Sequence, residues 1–106
     1  MTEVKLIKFI VKLGQKQVWL DWCEALKKRQ DEVIETLKNE GVVSESCFIS
    51  EDGLAIYYFM EAEDFAKAKE AVMKSTFKID SEHKAIREMS IEFVEKLTCL
   101  FHFSRV

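Results

Sequence analysis

Hydrophobic and polar positions follow one spacing for a stretch, then change, and the three glycines Gly14, Gly41 and Gly53 fall at or near the changes. Residues 4–13 are rich in β-branched and aromatic side chains, with Ile7, Phe9, Val11 and Leu13 on one parity. The other parity carries Val4, Leu6, Lys8, Ile10 and Lys12, and the whole run predicts a strand. From Gln15 to Glu40 the period becomes 3.6. Trp19, Trp22, Cys23, Leu26, Val33, Ile34 and Leu37 form one stripe, and Lys27, Lys28, Asp31, Glu35 and Lys38 fill the opposite side. This pattern predicts one long amphipathic helix, with Gly41 just past its end.

Residues 42–51 and 54–60 read as two strands joined by Asp52-Gly53, a dipeptide favoured in tight hairpin turns. Glu61, Glu63 and Asp64 suit the positive end of a second helix, whose inner face would be Ala62, Phe65, Ala68, Val72 and Met73. After a break at 75–79, Asp80 or Ser81 can cap a third helix with the stripe Ile86, Met89, Phe93 and Leu97. Residues 98–103 read as a closing strand. The order β-α-β-β-α-α-β predicts an α+β fold of the ferredoxin-like, split-βαβ kind over residues 1–106. Four antiparallel strands would carry their helices on one face.

A sheet covered on one side should be polar on the other. Here neither parity is. Leu6 and Ile10 oppose Ile7, Phe9 and Val11, while Leu54, Ile56, Tyr58 and Met60 oppose Ala55, Tyr57 and Phe59. Exposed apolar surface of that extent marks an interface. The simplest cover is a second copy packed sheet to sheet, so a homodimer is expected.

Composition narrows the partners. A chain of 106 residues is one domain's length, and a net charge of −3 gives no reason to expect nucleic acid. No apolar run reaches the length of a membrane span. The start, Met1-Thr2-Glu3-Val4-Lys5, lacks a signal peptide's apolar core, so a cytoplasmic protein is expected. Cys23, Cys47 and Cys99 are odd in number and widely spaced, which signals neither a disulfide framework nor a zinc site. They are expected to pack in the core. No phosphate loop, dinucleotide fingerprint or metal motif is present, so neither cofactor nor metal is expected.

Chemistry must then rest on a few polar side chains in a mostly apolar cavity. Gln30 falls inside the apolar arc of the long helix, where its amide needs a hydrogen-bonding partner. His83, beside Glu82 in the first turn of the third helix, and His102, between Phe101 and Phe103, are the candidate proton-transfer groups. Each also has a plainer reading, as a capping-turn and a packed strand residue. Tyr57 and Tyr58 point to opposite sheet faces, so one hydroxyl lies on the helix side. Glu45, between Ser44 and Ser46, and Trp22 complete the candidate ligand-binding set. Lys27-Lys28-Arg29 reads as a solvated face.

The stretch Leu26-Lys27-Lys28-Arg29-Gln30-Asp31-Glu32-Val33, with Asn39-Glu40-Gly41-Val42, resembles the long helix of L-rhamnose mutarotases and its exit. Leu100-Phe101-His102-Phe103 is similar to the end of that family. Glu82-His83-Lys84 and Phe101-His102-Phe103 look closer to a small bacterial family of unknown function. The resemblance implies the dimeric α+β barrel superfamily, in agreement with the homodimer. The mutarotases' catalytic histidine would fall on Gln30 and their helical tyrosine on Leu26, and their tandem tryptophans have no counterpart. The leading expectation is therefore a homodimeric barrel binding a small organic molecule between sheet and helices. The alternatives are a cofactor-free, mutarotase-like isomerase, a barrel-type monooxygenase, and an interaction module whose cavity is filled by Trp19, Trp22 and phenylalanines.

Overall fold

A computed structural model describes residues 2–105. Strand β1 (Glu3–Val11) leads into helices α1 (Lys16–Lys28) and α2 (Gln30–Glu40). Strands β2 (Val42–Ile49) and β3 (Ala55–Ala62) follow, then helices α3 (Phe65–Lys74) and α4 (Lys78–Ser90) and strand β4 (Ile91–Leu97). The strands form one antiparallel sheet in the order β2-β3-β1-β4. The α+β class and the four-stranded antiparallel sheet are as the sequence pattern predicts.

Two buried clusters join the sheet to its helices. Phe9, Trp19, Trp22, Ile56, Ile79 and Ile91 make the larger one; Val42, Ala62 and Ala68 make the smaller. Phe9 and Ile56 assign parity: odd residues of β1 and even residues of β3 face the helices. Leu6, Lys8, Ile10, Tyr57 and Phe59 therefore lie on the open face.

The cysteines expected in the core are not buried: Cys47 and Cys99 are exposed and Cys23 is half-buried. Three further expectations need correction. The long helix is two helices, broken at Arg29, whose backbone leaves helical geometry at φ −114° and ψ 35°. The Arg29 side chain is held away from its own helix by Glu32 and Glu82 and lies over the Trp22 ring. Its carbonyl accepts from the Glu32 and Val33 amides, so a new helix starts there. Val33 and Leu37 still pack inward beyond the break, but Ile34 and Gln30 are exposed rather than buried.

The second correction concerns the end of the chain. Helix α4 stops at Ser90, and the closing strand is 91–97, not 98–103. Positions 89, 93 and 97 are four apart, which places them together on a helix face and equally on a strand face. Cross-strand pairing decides between them: Phe93 sits opposite Phe9, their rings edge to face at 6.3 Å. A register shift opposite Lys8/Phe9 then leaves Val94 outside the pairing and brings Leu97 opposite Leu6. Residues 98–105 run on without regular structure, so His102 is not a sheet residue.

Third, Val72 and Met73 are not core residues; they are 48% and 78% exposed, on the rim of a cavity. Asp64 caps α3 as the acidic run predicts, accepting from the Ala66 and Lys67 amides. Among the described residues, no helix is long and apolar enough to cross a membrane.

Candidate functional site

A cavity of about 540 Å³ lies between the sheet and α2, α3 and α4. Its floor comes from β2 and β3. Between Val42 and Ser44 the β2–β3 register slips by one, leaving Val43 as a bulge. Val42 faces the helices, so strict alternation would turn Glu45 outward. The bulge reverses that parity and aims Glu45 into the cavity, beside Tyr58. The Tyr58 hydroxyl donates to Glu45 Oε1.

This pair is partly buried, and burial tilts its charge balance. Burial pushes the Glu45 carboxyl above its ordinary value; the Tyr58 hydrogen bond opposes that shift and the charge of Asp80 adds to it. Burial, with the Glu45 charge, pushes the Tyr58 phenol well up. Tyr58 is therefore a fixed hydrogen-bond donor across the physiological range.

His83 enters from α4. That helix begins at Lys78, so His83 is in its second turn rather than its first. The Trp22 indole N–H donates to His83 Nδ1 at 2.9 Å. Trp19, Trp22 and Tyr58 surround the imidazole, with ring centroids 5.9, 6.1 and 6.2 Å away. Burial lowers its pKa to about 4, assisted by the charge of Arg87 and opposed by Asp80. The ring is neutral at pH 7, and because Nδ1 accepts, the proton sits on Nε2. His83 thus presents a donor of defined tautomer on the cavity wall.

A second polar group occupies the α2 side. Thr36 Oγ1 lies 2.8 and 2.7 Å from the two Asp80 oxygens and 3.0 Å from Glu40 Oε2. One hydroxyl has one proton to give. Thr36 can therefore donate to Asp80 or to Glu40, one at a time. Burial pushes the Glu40 carboxyl up to about 7, with Asp80 and Glu45 adding to the rise and Thr36 opposing it. Ser75 also donates to Asp80, closing the group toward α3. Lys69 of α3 and Lys84 and Arg87 of α4 also line the cavity and bring basic groups to it.

The structure brings together three of the seven candidates, Glu45, Tyr58 and His83, as cavity walls. Trp22 stands behind His83 as its hydrogen-bond partner. Tyr57 is on the opposite face, paired with Lys8. Gln30 starts α2 outside the cavity lining. His102 is in the C-terminal segment, its Nε2 3.9 Å from Glu61 Oε2. Sequence reasoning missed Thr36, Glu40 and Asp80. The signal was present: Val33, Thr36, Leu37 and Glu40 are spaced as one helical face, with two polar members among the apolar ones. Among the described residues, no group of three or more His, Cys, Asp and Glu side chains is placed to hold a metal ion.

The family of unknown function DUF6176 matches residues 2–106. The chain belongs to that family. The matched span covers both the sheet and the cavity. No curated protein matches the chain.

Proposed function

We propose that this DUF6176 protein is a homodimeric, ferredoxin-like α+β barrel that binds a small organic molecule in the cavity between sheet and helices. The observation that carries this reading is the convergence of His83, Tyr58 and Glu45 on one cavity of about 540 Å³, a size suited to a metabolite. Its donors and acceptors are fixed before any ligand arrives: Tyr58 is held on Glu45, and His83 on Trp22. Apolar Leu26, Val33, Met60 and Ile79 line the rest. An oxygen-bearing molecule with an apolar flank fits such a wall. Thermal-shift screening with a metabolite panel tests the idea. A compound that stabilises the wild type but neither His83→Gln nor Glu45→Gln supports it. Equal stabilisation of both variants, or none by any compound, would sink it.

The homodimer rests on the open face, where Ile10 and Phe48 are 41% and 58% exposed beside Leu6, Tyr57 and Phe59. A second copy is its cover in this reading, which sedimentation equilibrium tests: twice the chain mass is expected, and a single-chain mass overturns it. The cytoplasmic setting belongs to the same proposal.

One observation favours a second reading, a cofactor-free isomerase. Glu40 titrates near pH 7, which suits a group that both gives and takes a proton. Mutarotation is the reaction to try first, although the position matching the mutarotases' histidine, Gln30, does not line the cavity. NMR saturation transfer between sugar anomers should show enhanced exchange that Glu40→Gln abolishes. No enhancement across a monosaccharide panel removes mutarotation.

A further inference from the structure

The charges around the cavity are unevenly partnered. Its acids are held by the protein's own hydroxyls: Glu45 accepts from Tyr58, Asp80 lies against Thr36 and Ser75, and Glu40 lies against Thr36. Its bases are not held. Lys69, Lys84 and Arg87 line the same cavity, yet among the described residues none of the three forms an ion pair. Two other lysines of these helices do, Lys74 with Glu70 and Lys78 with Glu82.

Helical spacing places the free cations. Asp80, His83, Lys84 and Arg87 fall at i, i+3, i+4 and i+7 on α4, and all four line the cavity. On α3, Lys69, Val72 and Met73 share a face in the same way. Lys84 and Arg87 stand one turn apart, where like charges repel and an anion relieves them. Both are exposed, as are Lys69, Val72 and Met73, whereas Tyr58, Glu45 and His83 are half-buried and Ile79 is buried. The cavity is thus basic and apolar at its mouth and hydrogen-bonding at its depth. In a chain of net charge −3, that basic mouth is a local departure.

We infer that the cavity takes an organic acid whose carboxylate is met at the mouth by Arg87, Lys84 and Lys69. The inference rests on the small-molecule reading above and adds the charge and class of the ligand. The Arg87 guanidinium offers parallel N–H donors that match a carboxylate, and the two ammonium groups add charge. The acid's apolar body covers Val72 and Met73, which otherwise stay in water at 48% and 78% exposure. An oxygen at its far end meets Tyr58 and His83. A carboxylate is favoured over a phosphate because the chain has no phosphate-cradling loop.

The test is amide-detected NMR of the full chain titrated with octanoate and with 3-phenylpropanoate, each compared with its neutral amide. Shifts should gather at residues 69–73 and 80–87. Each acid should bind roughly tenfold or more tightly than its amide. Added salt should narrow that preference. Lys84→Gln with Arg87→Gln should erase it, and Lys74→Gln, outside the cavity lining, should leave it intact. If the double variant does not fold, each single substitution should narrow the preference by about threefold. Equal binding of acid and amide, or a preference that survives the substitutions, overturns the inference and leaves the cavity reading standing. Binding of phenyl phosphate but of neither acid assigns the cations to phosphate and overturns it as well. No shift with any of these compounds also overturns it, and the metabolite screen decides separately whether the cavity binds a small molecule.

Discussion

The two faces of the sheet invert the usual arrangement. The covered face holds the titratable groups Glu45, Tyr58 and His83 among its apolar residues. The open face carries Leu6, Ile10, Tyr57, Phe59 and Phe48 around Lys8 and two serines. Burying polar groups is unfavourable unless they are hydrogen-bonded, and those around the cavity are paired: Tyr58 on Glu45, Trp22 on His83, Thr36 on Asp80. Leaving apolar groups uncovered is unfavourable in the other direction. The difference separates two roles, ligand chemistry under the helices and association on the bare face.

The two histidines sharpen the contrast, and the largest expected effect lies with the one on the covered side. Trp22→Ala removes a buried ring and the only partner shown for His83 Nδ1, and should destabilise by about 3–5 kcal/mol in urea titration. Trp22→Phe keeps most of the ring and removes only the donor. That variant should lose roughly 1–2 kcal/mol. Nitrogen NMR of His83 should then show the tautomer no longer fixed on Nε2. An unchanged tautomer in Trp22→Phe would mean that the indole does not orient the imidazole.

Glu40 comes next. Its ordinary value is 4.5, and its folded value is about 7. Between the two, the folded chain holds a proton that the unfolded chain has lost, so this contribution is complete below pH 4.5 and disappears as pH rises through 7. His83 acts with the opposite sign. Its pKa falls from 6.5 to about 4, so its contribution is present above 6.5 and lost as pH falls through 4. Glu40→Gln isolates the first effect, since glutamine stands in for the protonated acid. The variant should match the wild type near pH 4.5 and exceed it by about 1–3 kcal/mol at pH 8. A difference that does not change with pH would show that Glu40 is not held protonated.

The contrast between faces was partly legible in the sequence. β1 and β3 alternate cleanly, so their two parities and the α+β order follow from spacing alone. Tyr58 was legible as a strand hydroxyl needing a partner, Glu45 as a charge between two serines in a strand, and His83 as a histidine near a helix start. Others depend on long-range geometry that spacing does not carry. The bulge at Val43 that aims Glu45 inward is set by pairing with β3. Arg29 breaks the long helix through contacts with Glu82 and Trp22, the former 53 positions away. The strand at 91–97 has a periodicity compatible with helix until Phe9 is placed beside Phe93. Thr36 and Glu40 went unread because Asp80, which completes their group, lies 44 positions from Thr36.

The open face should tolerate change within one chain and yet respond in assembly. Ile10→Lys with Phe48→Lys places two charges on its exposed apolar part. Intrinsic stability should move little, because both side chains are already substantially exposed. In the homodimer reading, sedimentation should shift to the single-chain mass. A dimer that survives both charges would have to use another surface. His102→Ala is the smallest effect of all. The imidazole is 37% exposed and 3.9 Å from Glu61, so it should change stability by less than about 0.5 kcal/mol and leave ligand-induced thermal shifts intact. A lost thermal shift in this variant would move the site from the covered face to the C-terminal segment, and the division of roles between the faces would fail.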